Sequence, residues 1–192
     1  LILSCFSYLD LDEITELKNG DTLCIKDLSE RFSTEKKEQD MKAESAFLQN
    51  TPVLLEKMAR SKRFRECTVG GFVNEILSRQ AQQFAAVMIG LGDGTSYISF
   101  RGTDDTIVGW KEDFNLSNGV VPSHRKALEY LEEHGTYLQS MLRIGGHSKG
   151  GNLAMYAAMQ CNEILQEKIL SVYDNDGPGF PEEFFSPERV EK

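Results

Sequence analysis

Gly146-His147-Ser148-Lys149-Gly150 has the spacing Gly-x-Ser-x-Gly. Before it, Leu142-Arg143-Ile144 reads as a short strand. After it, Gly151 to Met159 reads as a helix dense in small and apolar residues. A sharp strand-to-helix turn of this kind lifts one serine hydroxyl above the edge of a sheet. Glycine is needed two residues either side of the serine, because a Cβ there would collide where helix and strand cross. The first amides of the following helix precede its hydrogen-bond ladder and can face an oxyanion. The same spacing also occurs in Gly-rich turns that merely cap a helix. The strand before it and the Ala-rich helix after it favour the nucleophile turn.

The rest of the chain is consistent with one domain over residues 1–192, large enough to bury a substantial core. Hydrophobic residues at 40% and charged residues at 27% are ordinary for a soluble globular protein. A net charge of −9 disfavours nucleic-acid binding through a general basic surface. It equally disfavours electrostatic docking on anionic membranes, which leaves a local apolar patch as the route to transient lipid contact. Cys5, Cys24, Cys67 and Cys161 are scattered and form no CxxC pair, so reduced thiols in a cytoplasmic protein are expected. Leu1 to Cys5 is apolar but short and lacks a preceding basic region, unlike a signal peptide. No stretch approaches the roughly 18 apolar residues of a membrane span. The chain does not open on Met, and it is expected to begin inside a longer protein.

Residues 1–80 read as a mostly helical N-terminal part. Leu3, Phe6 and Leu9 share one side, and Asn19-Gly20-Asp21 is a break. Residues 22–32 are ambiguous, and the charged run from Ser33 to Glu44 reads as a solvated face. Thr51-Pro52 opens a helix whose apolar face is Val53, Leu54, Leu55 and Met58. Arg60 to Arg65 reads as surface. Phe72, Ile76 and Leu77 suit a short element leading into the sheet. Phe84 to Ile89 and Tyr97 to Phe100 read as a hairpin across Gly90 to Thr95. Pro122-Ser123 opens another helix, and Ile169 to Tyr173 reads as a buried strand ending in Asp174 to Gly179. Strands separated by helices after a hairpin predict an α/β fold with a mixed, mostly parallel sheet flanked by helices. Functional groups in such sheets gather beyond the carboxyl ends of the strands. Three loops fall there: Arg101 to Asp105, Gly146 to Gly150, and Asp174 to Gly179.

Phe100-Arg101-Gly102-Thr103, then Trp110 and Asp113, then Gly146-His147-Ser148-x-Gly150-Gly151 resembles the class 3 (fungal-type) lipases, which have the α/β-hydrolase fold. The longer stretches from Phe100 to Asn115 and from Gly146 to Ala154, with Tyr173 to Phe180, look closer still to the Mbeg1-like bacterial proteins, a family of unknown function. The likeness covers roughly residues 84–185 and is less distinct in the first 80, chiefly around Ser7-Tyr8-Leu9-Asp10. It implies Ser148 as nucleophile, with the Lys149 amide as one oxyanion donor. It implies Thr103 as the second, through its amide and hydroxyl. Trp110 and Asp113 read as scaffold, and Arg101 as the partner of a carboxylate near the sheet edge. Where the lipases usually carry Leu, this chain has Lys149. A backbone donor is indifferent to that change, and the lysine side chain is expected in solvent.

A serine hydroxyl needs a base, and in α/β-hydrolases the order is Ser, Asp or Glu, His. No histidine follows Ser148. His147 should point to the opposite face and anchor the turn. His124 and His134 read as surface residues of the preceding helix. Asp176 and Asp174 follow the strand after the elbow helix. Both are candidates for the acid, and Asp176 is the one assigned; because the lipases place theirs one strand later, the alternative for Asp176 is a pocket-wall or turn residue. Asp174-Asn175-Asp176-Gly177 lacks calcium-loop spacing, so neither metal nor cofactor is expected. Two expectations account for the missing base: the last strand, acid and histidine lie beyond Lys192, or the fold is a catalytically silent binding module. The first is preferred. The substrate class implied is a small-molecule or lipid carboxylic ester.

Overall fold

The computed structural model describes residues 1–35, 50–77, 82–103 and 119–180. In chain order the elements are α1 (Ile2–Phe6), α2 (Thr15–Lys18), β1 (Leu23–Cys24), α3 (Ile25–Glu35), α4 (Thr51–Arg60), β2 (Thr68–Leu77), β3 (Gln82–Gly90), β4 (Ser96–Phe100), α5 (Pro122–Gly135), β5 (Leu142–His147), α6 (Lys149–Gln160), α7 (Glu163–Lys168) and β6 (Ile169–Asn175). The six strands form one sheet in the order β1-β2-β3-β4-β5-β6.

Period-two alternation in the central strands makes two cores. Val87, Ile89 and Tyr97 face the N-terminal helices, packing with Phe6, Leu9, Ile25, Leu28 and Met58. Phe84, Ala86, Ile98 and Phe100 face the other way, against Ala127, Leu131, Leu153, Ala154 and Leu165 of α5, α6 and α7. The sheet is therefore covered on both sides, and every residue of β4 is buried. The hairpin turn is closed by Asp93, whose Oδ1 accepts from the Thr95 amide at 3.0 Å and the Thr95 hydroxyl at 2.6 Å.

The mixed α/β class is as expected, but the balance of the sheet differs. β1–β2, β2–β3 and β3–β4 pair antiparallel, and only β4–β5 and β5–β6 are parallel. The difference comes from β2, a ten-residue strand inside the part expected to be mostly helical. Gly70-Gly71 breaks its alternation: the register shifts between Gly70 and Val73, and Gly71 has φ 58°. β6 also departs from its expected burial. It is the last strand in the order among the described residues, and Leu170 and Tyr173 are 50% and 43% exposed.

Tyr97 joins the sheet to α1, its hydroxyl 2.6 Å from Ser4 Oγ. Burial pushes this phenol up to about 12, against a smaller downward pull from the Ser4 bond. The fold thus favours the neutral phenol. That stability is complete below pH 10 and is lost as pH rises through 12, on the order of 3 kcal/mol. Burial raises Tyr130 in the same direction. The urea midpoint should therefore fall between pH 10 and 12, and less steeply in Tyr97→Phe. An equal fall in the two proteins would remove Tyr97 from the account.

Candidate active site

Parallel pairing brings three strand ends to one edge. Phe100 lies beside Gly146, and His147 beside Asn175. The chain leaves β4 through Arg101-Gly102-Thr103, β5 through Ser148, and β6 through Asp176-Gly177-Pro178.

Ser148 has φ 55° and ψ −130°, outside the conformations that non-glycine residues ordinarily adopt. Its amide donates to the Asn175 carbonyl at 2.9 Å, tying the turn to β6. Its carbonyl accepts from the Gly151 amide at 2.9 Å and the Asn152 amide at 3.4 Å, which starts the α6 ladder. The side chain is half-buried. The Lys149 amide precedes that ladder at the positive end of a 12-residue helix. The turn depends on close backbone crossings. A Cβ at Gly146 would lie 2.2 Å from the Gly150 carbonyl carbon, and one at Gly150 would lie 2.2 Å from the Phe100 oxygen.

The Lys149 side chain is not in solvent. It is 1% exposed, and Nζ donates to the Gln83 carbonyl at 2.9 Å. β3 runs antiparallel to β4, so its first residues lie at the carboxyl end of β4, within reach of the side chain that opens α6. Ser123 Oγ donates to the same carbonyl at 2.9 Å.

Thr103 is half-buried at the end of the described part of its loop. The residue before it is pressed against the elbow, since a Cβ at Gly102 would lie 2.5 Å from the His147 oxygen. Arg101 is 7% exposed and donates to Asn74 Oδ1 at 2.7 Å. Asn74 in turn donates to the Asp12 carboxylate, so the arginine meets that carboxylate through an amide. Asp176 is exposed, with φ 62°, in the turn after β6. Asp174 accepts from the Gly177 amide at 2.8 Å and closes that turn. Trp110, Asp113, Asp104 and Asp105 lie outside the described residues.

His124 corrects the expectation of a surface residue: it is 1% exposed. Its Nδ1 accepts from the Val121 amide at 3.0 Å, so the proton of the neutral ring is on Nε2. Nε2 then donates to Asn152 Oδ1 at 2.6 Å, and Asn152 Nδ2 donates to the Pro178 carbonyl at 2.9 Å. The imidazole stacks on Tyr156, ring centroids 4.4 Å apart. This chain of bonds links the start of α5, the elbow helix one turn beyond Ser148, and the loop that follows Asp176. The sequence signal for it was present but weak: position 124 faces inward in the first turn of a helix opened by Pro122. His134 is half-buried against Tyr130, centroids 4.2 Å apart, and desolvation lowers its pKa despite an upward pull from Glu133. His147 turns toward Tyr8, consistent with the anchoring expected of it.

Among the described residues, no group of three His, Cys, Asp or Glu side chains is arranged to hold a metal ion. No helix among them is long and apolar enough to cross a membrane. Comparison with curated proteins and with solved structures gives no match. The Mbeg1-like family model matches residues 58–191, from the end of α4 through the elbow and beyond the loop after β6, and the chain belongs to the Mbeg1-like family.

Proposed function

We propose that this protein is a serine hydrolase that cleaves carboxylic esters of small molecules or lipids through an acyl-enzyme on Ser148. The observation that carries this reading is the backbone of Ser148. It holds φ 55° and ψ −130° between a strand and the head of a helix, at a cost on the order of 1–3 kcal/mol. Capping a helix requires no such strain; presenting a hydroxyl beyond the sheet edge does.

In the first half-reaction Ser148 Oγ attacks the ester carbonyl carbon and gives its proton to a base. The tetrahedral oxyanion is held by the amides of Lys149 and Thr103, each contributing roughly 3 kcal/mol to the transition state. Collapse expels the alcohol, which takes up a proton, and water then hydrolyses the acyl-serine. Asp176 is the acid candidate at this edge. The resemblance to class 3 lipases supports the same assignment of roles.

A second reading, a catalytically silent binding module, is favoured by the histidines. His124 has both ring nitrogens bonded, His134 packs against Tyr130, and His147 faces Tyr8. An alkyl fluorophosphonate separates the two readings. The folded full-length protein should gain one covalent adduct at Ser148, and Ser148→Ala should gain none. A folded wild-type sample that stays unmodified would sink the hydrolase and leave the binding module.

A further inference from the structure

The family match begins at Met58, yet the N-terminal segment braces the elbow at two points. The first is Ser4 in α1. Asn175 Nδ2 donates to Ser4 Oγ at 2.9 Å and to the Gly146 carbonyl at 2.9 Å, while the Asn175 carbonyl accepts the Ser148 amide. The second is Tyr8, which is 6% exposed. Its hydroxyl lies 3.3 Å from Nδ1 and 3.3 Å from the main-chain oxygen of His147, and its ring meets the imidazole edge-on. The same hydroxyl occupies the space a Cβ would need at Gly102, 2.1 Å from that point. The phenol head is therefore wedged between the residue before Ser148 and the residue before Thr103.

We propose that Tyr8 is a positioning residue of the Ser148 site: its hydroxyl sets the spacing between the elbow and the loop after β4. It thereby sets the spacing between the Lys149 and Thr103 amides. The inference rests on the reading of those amides as the oxyanion donors. Such donors must be placed to within about 0.5 Å to act on the transition state. At 3.3 Å neither hydroxyl contact is a strong bond alone. The placement comes from sharing one hydroxyl between two atoms of His147 while Gly102 closes the third side.

The arrangement has a spectroscopic signature. The phenol hydroxyl lies against both the ring nitrogen and the carbonyl of His147, so removing it changes the surroundings of Nδ1.

Tyr8→Phe keeps the ring and removes the hydroxyl. Inactivation of Ser148 by fluorophosphonate, resolved into kinact and Ki, should show kinact about tenfold lower with Ki unchanged. A residue that only fills the core would leave kinact unchanged. In parallel, the Nδ1 shift of His147 should differ between the wild type and Tyr8→Phe. Equal kinact in two labelled, folded proteins overturns the positioning role. The same His147 Nδ1 shift in both overturns the contact itself. A wild-type protein that does not label overturns the hydrolase reading and the catalytic consequence of Tyr8 together, while the Nδ1 shift still decides the contact.

Discussion

Gly146→Ala is expected to destabilise the protein by about 4 kcal/mol or more, a large share of the roughly 5–15 kcal/mol that typically holds a domain folded. The added Cβ would meet the carbonyl carbon, oxygen and Cα of Gly150 at 2.2, 2.3 and 2.6 Å. All three are backbone atoms at the head of a buried helix, so no rotamer change relieves the clash. Gly150→Ala should behave similarly, against the Phe100 oxygen at 2.2 Å and carbon at 2.9 Å. Alanine would gain about 1 kcal/mol of helix propensity there, too little to offset the collision. Gly92→Ala is the control. That residue sits in the hairpin turn with nothing within 4 Å of the new methyl, and the change should be neutral or slightly stabilising. Urea denaturation of the three variants checks this. A Gly146→Ala protein with a wild-type midpoint would mean that strand and helix do not cross as closely as described.

His124→Ala is expected to cost about 3 kcal/mol. The substitution strands the Val121 amide and Asn152 Oδ1 in a buried place and opens a cavity beside Tyr156. A surface histidine would cost no more than about 0.5 kcal/mol, so the magnitude separates the two descriptions. Asn152→Ala should cost a similar amount, since it orphans His124 Nε2 and the Pro178 carbonyl. The double variant should be more stable than the sum of the two losses predicts, with a coupling of roughly 1–2 kcal/mol. Additive losses in that cycle would show that the two side chains are not bonded to each other.

Much of the site was legible because its chemistry is local. Glycine spacing, the strand before Ser148 and the small residues after it lie within some twenty positions, and the hairpin and the Thr51-Pro52 helix start are equally local. What stayed hidden depended on partners distant in sequence. Nothing adjacent to Lys149 announces that its stem crosses the carboxyl end of β4 to reach Gln83, 66 positions away. Nothing near His124 announces Asn152. β2 was obscured by its own Gly-Gly bulge, which interrupts the alternation that marks a strand. β6 has the composition of an interior strand, yet among the described residues Leu170 and Tyr173 are exposed, which composition does not announce. Tyr8 could be recognised only once the elbow, the loop after β4 and the first turn of chain were seen together.

The Ser4–Asn175 hydrogen bond joins positions 171 residues apart. During synthesis α1 must wait for nearly all of the described chain before Ser4 finds this partner. Its apolar partners come earlier, since Phe6 and Leu9 pack with Val87, Ile89 and Tyr97 of β3 and β4. Closing so long a loop adds only a logarithmic entropic term, but it delays this one contact. α1 and the hairpin can therefore assemble first, and the Ser4–Asn175 bond then closes as a late clasp, so the ordering of the turn at Ser148 is tied to the arrival of β6.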